Sequence, residues 1–410
     1  MNTNTEKKQL SLAVQIFIAL VLAIIVGIAL QNYADFTQSY IKPFGTIFLN
    51  LLKFIVCPIV LVSILSGIIS MSDIRKVGSI GAKTVIYYLC TTAFATCIGL
   101  AGAVIFKRFF PVLATSDLAY EAKEAGSFMD TIVNIFPSNF IAPMADASML
   151  QIIVAALIIG FSIILVGKEA EPVVTLINSL NSVLMKAMEL IIKLSPIGVF
   201  CLLCPVVASN GAMIIGSLAM VLLAAYICYF FHGAIIYSAA VKVLGGMNPG
   251  KFYKGMLPAM MFAFSSASSV GTLPINMECT EELGASKEVT SFVLPLGATI
   301  NMDGTAIYQG VCSVFIAACF GIDLTFAQMM TIVITATLAS IGTAGVPGSG
   351  MIMLTMVLTS VGLPIEGIAL VAGVDRIFDM GRTVLNITGD ASAAIIVTNM
   401  ESKKAAKKAV

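Results

Sequence analysis

The chain has 410 residues, of which 59% are hydrophobic and 11% charged, and its mean hydropathy is +1.00. Soluble domains are about 45–50% apolar, so this composition excludes an ordinary soluble globular protein and predicts a polytopic membrane protein. A net charge of +1 with no long basic block excludes nucleic acid or another polyanion as a partner.

The first apolar run, 12–30, is long enough to span a hydrocarbon core of about 30 Å and lacks a small-residue cleavage site. It reads as a first helix. Further runs at 44–69, 84–106, 150–166, 174–207 and 213–241 each suffice for a span. Between 130 and 147, Pro137 and Pro143 break the pattern, so the fourth span is expected to contain helical fragments, while Pro196 and Pro205 kink or end the fifth. Lys7 and Lys8, then Arg75, Lys76 and Lys83, then Lys242, Lys251 and Lys254 mark cytoplasmic ends. The loop 107–126 then lies outside, its Lys107, Arg108 and Lys123 offset by Asp117, Glu121 and Glu124. Lys403, Lys404, Lys407 and Lys408 read as a basic cytoplasmic tail over 401–410.

The nine cysteines lie mostly in apolar runs and read as small buried thiols. Cys201 and Cys204 form a CxxC without a second pair or a nearby histidine, which argues against zinc or redox chemistry. His232, the single histidine, reads as a residue near a helix end, and most catalytic arrangements needing an imidazole base are thereby excluded.

After Lys254 the pattern changes. Residues 256–264 form an apolar arm too short to cross, followed by Ser265, Ser266, Ala267, Ser268, Ser269 and Gly271, Pro274 and a polar return through Glu278, Glu281 and Glu282. This predicts a re-entrant hairpin, with a span kinked at glycine as the other reading. The next apolar run, 289–320, is interrupted by Thr299, Asn301, Met302, Asp303, Gly304 and Thr305. An unwound turn offering carbonyls and a carboxylate to a cation fits this break. The order then repeats: an arm at 327–339, a breaker-rich tip from Ser340 to Gly350, and a second arm at 351–361. Its four glycines and one proline over 342–350 suit either a gate over a ligand or merely a tight turn.

The last helix carries Asp375, Asp379, Arg382, Asn386 and Asp390, which at 100° per residue fall within roughly 80° of one another, along roughly 22 Å. A solvated face is one reading. Ionisable groups inside such apolar sequence are costly, which favours a membrane-embedded binding site. Asp379 and Arg382, three apart, could also neutralise each other as a structural pair. A hairpin followed by a helix bearing an Asn with Asp/Gly thus occurs twice, NMDG from 301 and NITGD from 386, as in transporters whose inverted repeats meet at a midplane site. Ser265 to Ser269 could alternatively serve an intramembrane serine hydrolase, but no credible base accompanies them.

The motifs SSASSVGTLP, GATINMDGTAIYQG, IGTAGVPGSG and DMGRTVLNITGD, in this order, with YYLCTT at 87–92 and SPIGVF at 195–200, resemble the dicarboxylate/amino acid:cation symporter family. The resemblance covers most of the chain. It implies an all-α polytopic membrane protein with eight transmembrane helices, two opposed re-entrant helical hairpins and inverted repeats, assembled as a homotrimer in the cell membrane. Scaffold helices would occupy 1–70 and 128–207. A transport domain, moving as an elevator, would comprise 80–107 and 212–402, with hairpins near 252–283 and 326–361 and final helices near 288–320 and 364–400.

The implied function is sodium-coupled symport of aspartate or glutamate, with the same machine carrying neutral amino acids or a C4-dicarboxylate as the alternative. Carried over by motif, Arg382 holds the substrate side-chain carboxylate, Asp379 its ammonium, and Asn386 with Ser269 its main-chain carboxylate. Ser268, Thr305, Thr383, Val346 and Gly350 complete the pocket. Sodium, the coupling ion, falls at Gly297, Asn301, Asn386 and Asp390, at Thr299, Met302, Ser340, Ile341 and Thr343, and at Tyr88, Thr91, Thr92, Asn301 and Asp303. Independently of the family, a planar guanidinium suits a carboxylate and an intramembrane Asp suits an ammonium. Gln309 stands where the mammalian glutamate transporters have an acidic residue tied to proton movement. The family's second arginine is missing, since Ala267 and Met380 stand at its positions, and Arg376 is its candidate substitute or a residue facing another helix.

Overall fold

The computed structural model describes residues 12–70, 79–112, 133, 136–146, 148–210, 213–340 and 349–408, and their regular secondary structure is helical throughout. In chain order the principal helices are α1 (Leu12–Ala29), α2 (Lys42–Ser70), α3 (Ser79–Phe106), α4 (Met149–Val166), α5 (Glu171–Ile192), α6 (Ser195–Asn210) and α7 (Met213–Phe231). After α7 a π-turn, His232–Tyr237, leads into Ser238–Val243. Then come α8 (Pro249–Ser266), α9 (Ser269–Glu282), α10 (Lys287–Ile300), α11 (Asp303–Cys319), α12 (Phe326–Ala339), α13 (Ser349–Ser360) and α14 (Asp375–Lys408).

Local chemistry fixes many of these boundaries. Asn248 caps α8 by accepting from Gly250 N, with Pro249 at the first helical position. Ser268 caps α9 and Ser286 caps α10, while Thr325 and Gln328 form a reciprocal capping box at α12. Among the described residues, four helical stretches are long and apolar enough to cross a membrane: Ile80–Phe109, Gln151–Ile191, Gly216–Val243 and Lys287–Cys319. Val14–Ala29 with Gln31–Phe48 would be a fifth, but the pair is bent by 79°. The expected fifth span is divided: α5 ends at Ile192 and α6 begins at Ser195, with Pro196 in its first turn. Helix α14 continues through Lys408, so the basic residues from Lys403 to Lys408 extend it, and Glu401 pairs with Lys83 of α3 at 2.7 Å.

Packing divides the helices into two groups. In one, α1 lies against α6, and α2 against α4, α5 and α6. In the other, α11 is wrapped by α3, α7, α13 and α14, and α14 also holds α8, α9 and α10. Helices α12 and α13 pack on each other and bridge to α2 and α4. Every residue of α11 is buried, so it is the axis of the second group. Close approach of α3 depends on small residues: a Cβ at Gly99 would sit 2.6 Å from the Ile307 carbonyl oxygen.

Two helix pairs fold back on themselves. Helices α8 and α9 meet at Ala267 (φ +51°) and Ser268, and α12 and α13 flank residues 341–348, which lie outside the described residues. Between α10 and α11 the helix is interrupted where expected: Asn301 and Met302 have φ/ψ of −90°/95° and −119°/46°.

Candidate functional site

The stripe on α14 is fully interior. Asp375, Asp379, Arg382, Asn386 and Asp390 are all buried, which excludes the solvated-face reading. The helix is unbroken here, so the stripe runs straight past the interruption between α10 and α11.

At the stripe's N-terminal end, Arg382 Nε donates to Asp379 Oδ1 at 2.8 Å and its Nη1 to Asp375 Oδ1 at 3.2 Å. Its guanidinium carbon lies 4.8 Å from the centroid of the Tyr308 ring. The third nitrogen, Nη2, is buried without a hydrogen-bond partner among the described residues. A guanidinium fork with one prong unmet in a buried site is matched by a ligand carboxylate. Gly350, at the start of α13, abuts this guanidinium so closely that a Cβ would overlap Nη1. Asp379 lies between Arg382 at 2.8 Å and the partly exposed Arg376 at 4.0 Å, and an intramembrane carboxylate in this position suits a ligand that also brings an ammonium.

Midway, Asn386 joins the stripe to the broken helix. Its Oδ1 accepts from Gly304 N at 2.7 Å and its Nδ2 lies 3.3 Å from Met302 Sδ. Thr305, whose hydroxyl is 3.8 Å from the same sulfur, lies alongside.

At the C-terminal end a second group forms. Asn301 Nδ2 donates to Asp390 Oδ1 at 2.9 Å and to the Asn386 carbonyl at 3.1 Å, while Asn301 Oδ1 is buried without a partner among the described residues. Gly297 backs onto this pair, and a Cβ there would strike Asp390 and the Tyr88 hydroxyl. Asp303 is buried nearby: Thr92 donates to its Oδ1 at 2.7 Å, Tyr237 to its Oδ2 at 2.7 Å, and His232 Nε2 stands 3.2 Å from Oδ2. Two buried carboxylates, an unmet amide oxygen and nearby carbonyls form a hard-oxygen environment suited to an alkali cation.

Other expected residues take ordinary local bonds. Thr91, Thr299 and Ser340 donate to carbonyls of their own helical turns at Tyr88, Leu296 and Thr337, and Tyr88 donates to Val293 O at 3.0 Å. Ser269 and Thr383 are buried, and Ser268 caps α9. Ile341, Thr343 and Val346 lie outside the described residues.

The reading of His232 as a residue near a helix end is corrected. It is buried within a continuous helical stretch, its ring 4.8 Å from that of Tyr237 in a T-shaped contact, and both touch Asp303. Tyr237, Asp375 as a direct partner of Arg382, and Tyr308 are also additions to the expected set. A polar pair five apart in an apolar helix was the available signal for His232 and Tyr237, because a π-turn closes i to i+5.

The family model of the sodium:dicarboxylate symporter family matches residues 12–400. The chain is similar to a proton/glutamate-aspartate symporter of Escherichia coli (strain K12), at 37% identity covering 98% of this chain and 95% of the relative. It is 34% identical to a proton/sodium-glutamate symport protein of Geobacillus stearothermophilus, over 97% and 96% of the two chains. A C4-dicarboxylate transport protein of Bacillus subtilis (strain 168) is 31% identical over 96% and 94%.

Proposed function

The chain belongs to the sodium:dicarboxylate symporter family, and we propose that it carries aspartate or glutamate across the cell membrane together with sodium. The observation that carries this reading is that Nη2 of buried Arg382, beside Asp379 and Asp375, has no hydrogen-bond partner among the described residues. An acidic amino acid answers both charges: its side-chain carboxylate takes the free prong of Arg382, and its ammonium takes Asp379. The main-chain carboxylate then lies towards Asn386 and Ser269, with Ser268, Thr305, Thr383, Val346 and Gly350 around it. A C4-dicarboxylate brings no ammonium for Asp379, while a neutral amino acid would leave the free prong of Arg382 unanswered. Unmatched buried charges of this kind disfavour both alternatives.

Sodium ions occupy the oxygen-rich groups around Asn301, Gly297 and Asp390 and around Asp303, Thr92 and Tyr88. The unpartnered Asn301 oxygen supports this choice of cation. Gln309, a neutral amide in the sequence, carries no transferable charge at physiological pH. Coupling follows from the shared framework: Asn386 holds Gly304 at the break while its carbonyl meets Asn301. An ion that orders Asn301 and Asp390 therefore orders the substrate pocket, and linkage makes the effect reciprocal.

Eight spans, two opposed hairpins and a trimeric elevator complete the proposal. The packing of α1, α2, α4, α5 and α6 with one another, and of α3, α7, α13 and α14 around α11 with α8, α9 and α10 on α14, supports a division into scaffold and transport domains. Both termini then face the cytoplasm. Uptake of radiolabelled aspartate into proteoliposomes tests the reading, with a sodium gradient, a proton gradient or neither. Uptake should follow the sodium gradient, and neutral amino acids and succinate should compete poorly. Sodium-independent uptake, or succinate preferred over aspartate, would overturn it.

A further inference from the structure

Behind the stripe lies a cavity of about 550 Å³, bounded by α7 with its continuation through Ser238–Val243, by α8 and by α14. Sites that take small ligands span about 300–1,000 Å³. On α14 the cavity is lined by Gly381, Val384, Leu385 and Thr388, which at 100° per residue lie on a helix face roughly 150° from the stripe. It is therefore a separate compartment from the pocket at Arg382.

The walls are apolar: Phe230, Ala234, Tyr253, Met260, Phe264 and Leu385 supply carbon, and no lining residue is charged. The hydroxyls on the walls are answered within the protein. Tyr226 donates to Ile377 O at 2.6 Å, Thr388 to Val384 O at 2.6 Å, and Ser238 and Tyr253 both donate to Gly233 O. The Tyr229 hydroxyl, buried without a partner among the described residues, is closed off from the cavity surface. A polar ligand would be desolvated here for no new bond, whereas a hydrocarbon chain loses nothing. Phe230 is 77% exposed, so the cavity opens at the flank of the membrane-crossing stretch Gly216–Val243, where the surrounding medium is lipid.

One end of the cavity selects the kind of lipid. Ser238 and Pro249 line that end; Lys242 follows Ser238 by one helical turn, and Lys254 follows Tyr253. Both lysines are exposed, and neither forms an ion pair among the described residues. Pro249 opens α8, so the positive end of that helix dipole lies at the same place. The carboxylates of Glu278, Glu281 and Glu282 are on α9, which contributes nothing to the lining. Lysines at the end of a membrane span hold their charge at the headgroup level and attract anionic lipid. We propose that this cavity is a binding site for an anionic phospholipid. Its acyl chain lies between α7, α8 and α14, and its headgroup is held by Lys242 and Lys254 at the first turn of α8. The site requires only that the chain spans a bilayer, and stands whichever cargo the Arg382 pocket takes.

The chain contains no tryptophan, so Phe230→Trp supplies a single indole at the cavity wall. Phe94→Trp supplies one on α3, at a residue 59% exposed and outside the lining. Each full-length variant is placed in phosphatidylcholine bilayers in which a minor fraction of the lipid is replaced by phosphatidylglycerol or phosphatidylcholine with brominated acyl chains, which quench an adjacent indole. At Phe230→Trp the brominated anionic lipid should quench about threefold more than the brominated zwitterionic one. At Phe94→Trp the two should quench equally. Adding Lys242→Gln and Lys254→Gln to Phe230→Trp should abolish the difference, and adding Ala234→Phe, which fills the cavity, should reduce quenching by both lipids to the level at Phe94→Trp.

Equal quenching by the two lipids at Phe230→Trp would overturn the proposal, as would a preference that survives loss of both lysines. If Phe230→Trp fails to fold, native mass spectrometry of the wild type with the two unbrominated lipids takes its place. Phosphatidylglycerol should then be retained in preference to phosphatidylcholine, and the preference should vanish in Lys242→Gln with Lys254→Gln; equal retention by the wild type would overturn the site.

Discussion

Replacing Arg382 by alanine removes the buried guanidinium of the stripe, and the structure sets the size of the effect. Its side chain is 2% exposed, 2.8 Å from Asp379, 3.2 Å from Asp375, and stacked over Tyr308. Removing one partner of a buried ion pair leaves an uncompensated charge and costs roughly 3–5 kcal/mol. The variant should fold with a lowered Tm. On the ligand side, losing a charge-assisted fork is worth roughly 2–5 kcal/mol. A loss of about 3 kcal/mol corresponds to a Kd for aspartate raised about 150-fold. Arg382→Lys keeps the charge but not the fork and should fall between the two. Calorimetric titration with aspartate in saturating sodium measures this, with thermal unfolding as the check on folding. A folded Arg382→Ala with unchanged aspartate affinity would refute the assignment, and the same variant is expected to gain affinity for a neutral amino acid.

Three further outcomes follow from the geometry. Titrating aspartate at several sodium concentrations should give a Kd that falls as sodium rises, aspartate should tighten sodium binding by the same factor, and Asp390→Asn should weaken both. Tyr237→Phe removes the 2.7 Å bond to Asp303, so the sodium concentration for half-maximal binding should rise about tenfold. Aspartate affinity at saturating sodium should be unchanged, and a loss of aspartate affinity alone would refute the role given to Tyr237. Gly350→Ala places a methyl group on the Arg382 guanidinium; overpacking of roughly 1–3 kcal/mol should lower Tm modestly and weaken aspartate binding, as measured by the same titration and melt.

The features legible from sequence are those in which helical period alone brings residues together. Asp375, Asp379, Arg382, Asn386 and Asp390 share a face because they follow the 3.6-residue repeat, and the helix that carries them is regular. The interruption at Asn301 and Met302 was legible because poor helix formers and a carboxylate sit within an apolar run. His232 and Tyr237 were not. On a regular α-helix they would point about 140° apart, and only the π-turn brings both onto Asp303. The partners of Arg376 were equally hidden, because backbone carbonyls of Ser265 and Ser266 leave no trace in side-chain chemistry. The division between α5 and α6 was half visible: Pro196 gave the place, while the apolar composition on both sides read as one continuous run.

The uninterrupted course of α14 has a consequence for how this architecture can diversify. Arg382 and Asp390 are eight positions apart on one rigid rod, which at 1.5 Å per residue fixes their axial offset at about 12 Å. No loop between them can lengthen or shorten to suit a larger or smaller cargo. A descendant of this sequence can therefore acquire a new cargo only by exchanging side chains at fixed stations along the rod, or by reshaping what faces it. Insertions and deletions between those stations would rotate every later station by about 100° per residue. Point substitution on a constant ruler is the route left open.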